Sequence, residues 1–282
     1  MCRLFGMSAA PHRVHARFWL IDASDSLVVQ SHRNPDGTGL GHFTAAGRPV
    51  VEKEAVAAFE DSRFAGEAAH VVSTTFVAHV RHASTGAIAV RNSHPFAMDG
   101  RIFAHNGAIA GLDRLEAELG GGLRLVQGDT DSERIFALIT ERISRAGGDV
   151  PTGLADAVGW VAQNLPVYAL NLVLATPTDL WALRYPETHE LYVLERPAGG
   201  AHGCRPLHMT SSTLGIHSEH LAAQRAVVVA SERLDEHPGW RLLDPGELVH
   251  VGPGPSLDSS VILPEPPAHP IGVSYLTAPT SH

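Results

Sequence analysis

The second residue of the chain is the first candidate for chemistry, because a cysteine, Cys2, follows Met1. If Met1 is removed, Cys2 carries a thiol and a free α-amine on one residue, and its small side chain is compatible with that removal. An α-amine has an ordinary pKa of about 7.7–8.0, so it is partly neutral near pH 7 and accepts the thiol proton. The pair would form a nucleophile whose general base is the chain terminus. The alternative is that Cys2 only begins a strand, since cysteine is a common small buried residue.

A second candidate is Arg81, which follows the apolar run 75–80 and precedes the small residues Ser84, Thr85 and Gly86. Its planar guanidinium matches the two oxygens of a carboxylate, and hydroxyls and turn amides would add further donors. This pattern is typical of a carboxylate-binding turn. The alternative is a surface arginine that precedes an ordinary turn.

Asn106 and Gly107 end the apolar run that begins at Phe103. A side-chain amide and the backbone N–H of an adjacent glycine are able to bind a developing oxyanion together, and glycine lets the backbone approach a substrate closely. Asn-Gly is also the commonest hairpin signal, so a turn is the alternative. The apolar residues 108–110 that follow lack clean strand alternation.

Acidic residues open the clearest predicted helix, at about 131–146. Asp129, Asp131 and Glu133 suit the positive start of a helix, although capping alone explains one of them. The same three residues mimic the first spacings of a calcium loop, but Arg134 stands where that loop needs glycine. An exposed carboxylate at this helix start would instead bind a substrate ammonium.

Histidine is abundant, with 18 copies, and a metal site built on His79, His82, His94 and His105 is conceivable. On a strand, however, the first two side chains would point to opposite faces. The chain has neither an H-E-x-x-H motif nor a cysteine cluster, so we predict no metal. His94 is expected to be a structural histidine or to orient a loop of the site by hydrogen bonding.

Segment 34–41 has three alternating glycines, Gly37, Gly39 and Gly41. The spacing differs from the dinucleotide-binding G-x-G-x-x-G pattern, and the segment runs into a strand and not into a helix. It therefore predicts a turn with close backbone packing near a site.

Composition excludes several classes of function. The net charge is −9 and the pI about 6.0, with no basic tract, so a nucleic-acid partner is not expected. No apolar run reaches membrane-spanning length, and charged residues interrupt the first twenty positions, so neither a membrane segment nor a signal peptide is predicted. Cys2 and Cys204 are the two cysteines, which favours a reducing cytoplasm. A disulfide between them is the alternative.

The elements that must position these residues mix strands and helices without a repeat. Helices are predicted at about 52–69, 112–119, 131–146 and 152–165, the last capped by Thr152. Strands are predicted at 3–7, 39–43, 75–80, 102–105, 170–175, 180–184, 190–195, 226–230 and 247–251. This order favours an α+β fold with a largely antiparallel sheet or pair of sheets. The proline-rich segment 253–282 predicts an extended tail, partly disordered or laid over the surface.

Several of these motifs together resemble one family, the class II glutamine amidotransferases. The resemblance rests on Cys2, the Arg81 turn, His94-Pro95, His105-Asn106-Gly107 and segment 130–133. Members are N-terminal-nucleophile hydrolases with a four-layer αββα sandwich, in which two mainly antiparallel sheets lie between helices. Later motifs are similar to the stand-alone branch, which includes γ-glutamyl amidohydrolases of ergothioneine biosynthesis and of glutathione breakdown. The resemblance implies one such domain over 2–252, followed by the tail 253–282.

The resemblance also implies roles for individual residues. Cys2 would be the nucleophile, with its α-amine as base, and Asn106 and Gly107 would form the oxyanion hole. Arg81 would bind the α-carboxylate of the substrate, and Asp131 its α-ammonium. His94 and His105 would support these residues without contacting the substrate. Many members have an aromatic residue after the arginine, where this chain has His82.

We therefore expect a cytoplasmic hydrolase that cleaves a small-molecule γ-glutamyl amide through a thioester on Cys2 and needs no cofactor. The substrate would be glutamine or a γ-glutamyl-capped metabolite. The alternatives are a glutaminase subunit that delivers ammonia to a separate synthase partner, a non-catalytic regulatory subunit of the same fold, and a metal-dependent hydrolase.

Overall fold

Two seven-stranded sheets lie face to face in the computed structural model, which describes residues 2–83, 86–198, 224–272 and 274. The α-helices are α1 (Leu27–Gln30), α2 (Ser62–His70), α3 (Leu112–Leu119), α4 (Asp131–Arg145) and α5 (Val150–Asn164). The strands are β1 (Arg3–Ser8), β2 (Val14–His15), β3 (Thr38–Phe43), β4 (Pro49–Glu54), β5 (Val72–Ser73), β6 (Thr75–Val80), β7 (Phe96–Met98), β8 (Arg101–Ile109), β9 (Pro166–Ala175), β10 (Leu180–Leu183), β11 (Tyr192–Arg196), β12 (Ala226–Ala230), β13 (Arg241–Leu242), β14 (Glu247–Gly252), β15 (Ser256–Val261) and β16 (His269–Pro270). Short 3-10 turns at Ser31–Arg33, Val90–Asn92 and Gly120–Leu125, and a π turn at Phe18–Asp22, complete the helical elements.

The first sheet has the strand order β13-β11-β12-β1-β6-β3-β4, and the second has β15-β14-β10-β9-β8-β7 with β16 beside β9. Neighbouring strands are antiparallel except for the short β16–β9 pair. Strand β1, which follows Cys2, lies in the interior of the first sheet, and β8 lies near one edge of the second. This order brings the start of β1 and the end of β6 side by side.

Alternation along the strands produces one core between the sheets and one on each outer face. Leu4 of β1 and Ala104 of β8 pack between the sheets, whereas Phe5 packs under α2 on one outer face. Phe103 packs under α4 on the other outer face. The arrangement confirms the four-layer αββα sandwich that was expected.

One predicted helix is wrong in its first part. Residues 52–54 belong to β4, which pairs with β3, and the helix of this region begins only at Ser62. Asp61 starts it, because its side chain accepts hydrogen bonds from the N–H groups of Arg63 and Phe64. The β-branched Val50 and Val51 explain why the pairing prevails over the helix-forming residues that follow.

The helix predicted at 152–165 begins two residues earlier than expected, at Val150, with Asp149 as its N-cap residue. Thr152 lies inside the first turn and is not the cap. Pro151 is tolerated there because the first helical N–H groups have no partner within the helix.

The proline-rich tail contributes more to the fold than the sequence indicated. Residues 256–261 form β15 and pair along β14, and residues 269–270 form β16 beside β9. The turn 252–255 contains two glycines and two prolines, which are residues typical of turns, and it connects β14 to β15. The other prolines of the tail lie outside this hairpin. The division of the chain into a domain and a tail at residue 252 stays a prediction.

None of the helices within the described ranges has the length and apolar character that crossing a membrane requires.

Candidate active site

Cys2 lies beside the end of β6, because Arg3 is paired with Val80 across the β1–β6 ladder. The backbone N–H of His82 donates to Cys2 Sγ at 3.2 Å, and the thiol lies 3.3 Å from the His82 carbonyl. Burial raises the pKa of the Cys2 thiol, and the His82 N–H offsets this rise in part. The resting thiol is therefore protonated near neutral pH and needs a base to become a nucleophile. The His82 side chain is largely exposed, and the hydrogen bonds between His82 and Cys2 involve the His82 backbone.

Neighbouring side chains anchor the first residues of the chain. Arg3 donates to the Cys2 carbonyl at 3.2 Å and forms an ion pair with Glu232. The hydroxyl of Ser231 accepts a hydrogen bond from the Leu4 N–H at 2.7 Å. The position of Cys2 is thus determined on both sides, by β6 and by the residues that follow β12.

The glycine-rich turn supports the backbone that faces Cys2. Asp36 Oδ2 accepts a hydrogen bond from the Ala83 N–H at 2.8 Å, and the Asp36 N–H donates to the Arg81 carbonyl at 3.1 Å. A side chain at Gly39 would lie 2.2 Å from the His94 carbonyl, so only glycine fits there. These contacts confirm the close backbone packing predicted for this turn. They also identify Asp36, which sequence reasoning passed over in favour of the glycines around it.

Arg81 is buried, with 3% of its surface exposed, and is not an ordinary surface arginine. Its guanidinium donates to the carbonyls of Ala87 at 3.0 Å and of Gly86 at 3.3 Å, within an exposed loop. Burial lowers the pKa of Arg81, and the charges of Cys2, Asp36 and Asp131 offset this lowering in part. Ser84 and Thr85, which were expected to add donors, lie outside the described residues, as does Cys204.

Asn106 and Gly107 do not form a turn. They lie inside β8, which continues to Ile109, and Asn106 is paired with Asn171 on β9. The alternation that places Ala104 between the sheets places Asn106 there too, on the face that looks toward the first sheet. Within the described part of the chain, the Asn106 side-chain amide has no hydrogen-bond partner, although it is 4% exposed.

The backbone N–H of Gly107 also has no hydrogen-bond partner among the described residues. Leu170, its partner on β9, donates its own N–H to Tyr185 on the opposite side. Residues directly opposite in an antiparallel ladder exchange both bonds or neither, so the Gly107 N–H points away from β9. It lies on the same edge as the Ile109 N–H, which donates to Asp131. A Cβ at Gly107 would lie 2.0 Å from the Ala169 carbonyl oxygen, which explains why glycine is required.

Asp131 is the first residue of α4 and is buried, with 2% exposed. Its Oδ2 accepts the Ile109 N–H at 3.0 Å, and its Oδ1 accepts the Ser132 N–H at 2.9 Å. Thr130 caps the helix through its hydroxyl, which leaves the Asp131 carboxylate free of that task. A carboxylate offers about four lone-pair positions, so it is able to accept a cationic donor in addition.

His105 supports the start of α4. Its Nδ1 lies 2.9 Å from Ser132 Oγ, and its Nε2 lies 3.3 Å from the Ala169 carbonyl. Burial lowers the pKa of His105, so the ring is neutral. Because a carbonyl only accepts, the proton belongs on Nε2, and Nδ1 accepts from the serine hydroxyl. His105 therefore positions the residue next to Asp131.

His94 packs against two aromatic rings. Its ring is tilted by 34° against the His79 ring, with centroids 4.3 Å apart, and meets the Phe96 ring edge-on at 4.7 Å. Both of its ring nitrogens are without a partner in the described residues. Burial lowers the pKa of His94 well below the ordinary value. Burial also lowers the pKa of His79, to about 3, and the charges of His105 and Arg81 have smaller effects in the same direction. Of the two roles expected for His94, this packing favours the structural one.

The structure brings the predicted residues together from four strands or strand ends and one helix. The charges of Arg81 and Asp131 both act on the pKa of the Cys2 thiol. Asn106 faces the same layer from the opposite sheet. The charges of one cation and one anion thus act on the thiol, and the Asn106 amide, which has no hydrogen-bond partner among the described residues, lies on the face of β8 that looks toward the sheet of Cys2. In the described parts of the chain, no group of three or more His, Cys, Asp and Glu is arranged to hold a metal ion.

Comparison with known proteins agrees with this geometry. Residues 1–267 match the family model described as Glutamine amidotransferases class-II. The putative glutamine amidotransferase YafJ of Escherichia coli (strain K12) is 26% identical over 88% of this chain and 96% of its own length. The gamma-glutamyl-hercynylcysteine sulfoxide hydrolase of Mycolicibacterium smegmatis is 28% identical over 89% of this chain and 96% of its own length.

A solved structure shows the same fold. The glutamine phosphoribosylpyrophosphate amidotransferase from B. subtilis superimposes with a TM-score of 0.64 at 18% identity. The match covers 94% of this chain but 50% of that protein. This chain therefore spans about half the length of that enzyme, whereas it spans nearly all of the two relatives above.

Proposed function

Because the chain belongs to the class II glutamine amidotransferases, we propose that it hydrolyses a γ-glutamyl amide through a thioester on Cys2. One observation carries the proposal: the Cys2 thiol lies within the fields of a buried cation, Arg81, and a buried anion, Asp131. A free α-amino acid head carries one carboxylate and one ammonium, so this pair of charges is complementary to it. The γ-glutamyl group of such a substrate extends from that head and presents its γ-carbonyl to the thiol.

The chemistry proceeds in two steps. The thiolate attacks the γ-carbonyl carbon, and the carbonyl oxygen becomes an oxyanion that accepts hydrogen bonds from the Asn106 amide and the Gly107 N–H. The C–N bond then breaks, and the amine or ammonia leaves with a proton. Water next attacks the γ-glutamyl thioester, which releases glutamate and restores the thiol.

The base for the first step is the α-amine of Cys2, which exists once Met1 has been removed. Burial raises the pKa of the Cys2 thiol, so a proton must be taken from it for each turnover. An α-amine with an ordinary pKa near 7.7–8.0 is matched to that task. His94 and His105 do not serve, since neither has a hydrogen bond to Cys2 and His105 is held by Ser132 and Ala169.

Hydrolysis of a γ-glutamyl metabolite is supported by the similarity to a relative that is named as such a hydrolase. This chain spans 96% of a relative named as a hydrolase of a gamma-glutamyl compound, whereas it spans 50% of the phosphoribosylpyrophosphate amidotransferase. The second candidate function is glutamine hydrolysis with delivery of ammonia to a separate partner. The leaving group distinguishes the two, because a metabolite hydrolase prefers an amine leaving group larger than ammonia.

The test is to measure glutamate release from glutamine and from a panel of γ-glutamyl amines and peptides, with intact-mass spectrometry on the same preparation. We expect a mature chain that begins at Cys2 and at least one γ-glutamyl compound that is cleaved faster than glutamine. Cys2→Ala should abolish release while leaving the fold intact, and Cys204→Ala, which changes the other cysteine, should not.

A glutamine-like diazoketone should label Cys2 and spare Cys204. Full retention of Met1 in an active preparation, or normal turnover by Cys2→Ala, would contradict the mechanism. Preference for glutamine over every amine tested would favour ammonia delivery instead.

A further inference from the structure

A cavity of about 240 Å³ opens at the end of the first sheet that is far from Cys2. Its walls come from the ends of β11 and β12 and from Pro255 in the β14–β15 turn. Arg196 is paired with Ala226, and the next residue, Val227, is paired with Ser8 at the end of β1. Since Cys2 precedes the other end of β1, strand rise places the cavity on the order of 20 Å from the thiol. It is therefore separate from the candidate active site.

A buried arginine that makes no hydrogen bond to any described residue lines this cavity. Arg196 is 7% exposed, and its Nη1 is buried without a hydrogen-bond partner among the described residues. The nearby Asp235 acts on Arg196 only at a distance. Its Oδ1 is already occupied by the Trp240 indole N–H at 2.7 Å and the His237 N–H at 3.1 Å.

Arg184 shows what a buried arginine of this fold looks like when it is purely structural. It is 6% exposed, and it donates to the carbonyls of His189, Leu243 and Glu187 at 2.7–3.0 Å. Burial of an ionised group without such partners is strongly unfavourable. Burial lowers the pKa of Arg196, as expected for a desolvated cation, but a guanidinium stays charged at any physiological pH.

The rest of the lining is also suited to an anion. Arg225 is exposed and contributes a second guanidinium, while Glu195 contributes one carboxylate, so the three formal charges of the lining sum to +1. Two guanidinium groups present planar pairs of donors that match the oxygens of a phosphate or a carboxylate. The volume lies just below the range of pockets for drug-sized ligands, which suits a small molecule.

We propose that this cavity is a second ligand site, in which Arg196 and Arg225 bind the phosphate or carboxylate group of a small metabolite. Arg196 is the buried residue that donates a bidentate pair of hydrogen bonds to the anion. Arg225, at the rim of the cavity, donates to the same anion. The proposal is independent of the reaction assigned to Cys2.

The experiment titrates the full-length protein with inorganic phosphate by isothermal titration calorimetry, with ionic strength held constant by sodium chloride. A parallel titration with succinate distinguishes a phosphate site from a carboxylate site. We expect saturable binding of one anion per chain for at least one of the two probes. Arg196→Met should weaken it at least tenfold and Arg225→Met by a smaller factor. Arg48→Met, which removes an exposed arginine on the turn between β3 and β4, should leave it unchanged.

Thermal unfolding in anion-free buffer separates ligand binding from a structural role. An arginine that lacks an internal partner should be replaceable by methionine without loss of Tm, whereas a structural arginine should not. The proposal is overturned if neither probe binds saturably, if Arg196→Met binds the anion as tightly as the parent chain, or if Arg196→Met lowers the Tm of the anion-free protein. Glutamate release in anion-free buffer should be the same for Arg196→Met and the parent chain.

Discussion

Asn106 and Asn171 face each other across β8 and β9, yet they differ in every hydrogen bond. The Asn171 side chain donates to the carbonyls of His189 and Glu190 at 3.2 and 3.1 Å and accepts the Tyr185 N–H at 3.0 Å. Within the described residues, the Asn106 amide does none of this. One asparagine completes a structural network, and its neighbour presents unused donors toward the layer where Cys2 lies.

Two buried arginines differ in what surrounds them. Arg184 donates to three backbone carbonyls, two of which belong to the segment that follows β10. Arg81 donates to carbonyls of an exposed loop and lies within the fields of Cys2 and Asp131. A buried arginine whose donors all bind the backbone of its own fold stabilises that fold, and a buried arginine beside the candidate nucleophile is placed to act on a substrate. The comparison therefore predicts which substitutions affect stability and which affect turnover.

The largest effect is expected for the charges that would hold the amino acid head. Arg81→Met or Asp131→Asn should weaken use of γ-glutamyl substrates by about 2–5 kcal/mol, because each removes the partner of a desolvated charge. This corresponds to a rise in KM of about 30- to 4000-fold. Steady-state kinetics measures it.

Arg184→Met is the matched control for Arg81→Met. It should lower the free energy of unfolding, since three carbonyls lose their donor, and should leave the KM of the folded fraction near normal. Equal cleavage of a substrate that lacks its α-amine or α-carboxylate would show that Arg81 and Asp131 do not recognise the head.

The next effect concerns the proposed oxyanion donor. Asn106→Ala should lower kcat by about 10²–10³-fold with little change in KM, because the oxyanion exists only in the transition state and intermediate. Asn106→Asp should be at least as harmful, since it places a negative charge where another develops. Denaturant unfolding of both variants should show stability close to that of the parent chain. Near-normal turnover by folded Asn106→Asp would remove the side-chain donor from the mechanism.

Asn171→Ala is expected to have the opposite profile. The substitution leaves two carbonyls and one N–H inside the protein without their hydrogen-bond partner. We expect the free energy of unfolding to fall by about 1–3 kcal/mol, because unpaired buried polar groups are unfavourable. Urea unfolding measures this loss, and the kcat of the folded fraction should change far less than in Asn106→Ala. If Asn106→Ala and Asn171→Ala lose stability and turnover in the same proportion, the distinction between the two asparagines fails.

The last prediction concerns the pH dependence of stability that the buried histidines confer. The unfolded chain binds a proton on each histidine below about pH 6.5, whereas His79 in the folded state has a pKa of about 3. Protons therefore favour the unfolded state, and the free energy of unfolding falls as the pH drops from 6.5 toward 3. Each such histidine contributes a slope of at most about 1.4 kcal/mol per pH unit.

His79→Gln should flatten this slope in denaturant unfolding between pH 6.5 and 4. The matched control is His12→Gln, which changes an exposed histidine and should leave the slope as it is. An unchanged slope in His79→Gln would mean that His79 is able to take up a proton in the folded protein.

Much of the fold was predictable because it rests on local patterns. The apolar runs that start at Arg3, Thr75 and Ala226 form strands, and the cap and apolar spacing after Thr130 form α4 at nearly the predicted bounds. These signals lie within a few residues of one another, so no tertiary information is needed to read them. The order of strands in each sheet is a long-range property and was not predicted.

Asn106-Gly107 shows where local reading ends. The pair has the commonest hairpin signal, and yet it continues a strand, because Gly107 packs against the Ala169 carbonyl and pairs with Leu170 more than sixty residues away. The tail segment 256–261 is similar, because it pairs with the edge of β14 although the prolines on either side of it predicted an extended tail.

The sequence by itself determined which residues are chemically able to act: a cysteine at position two, an arginine and an aspartate at the ends of recognisable elements, and an asparagine beside a glycine. Tertiary structure alone decided which polar groups are already used. Asp36 holds the backbone at Cys2, Asn171 is saturated, and Arg196 has no partner among the described residues. The physical reason is that the type of a side chain specifies how many hydrogen bonds it is able to make, whereas distant segments that meet it in the fold decide how many remain for a ligand.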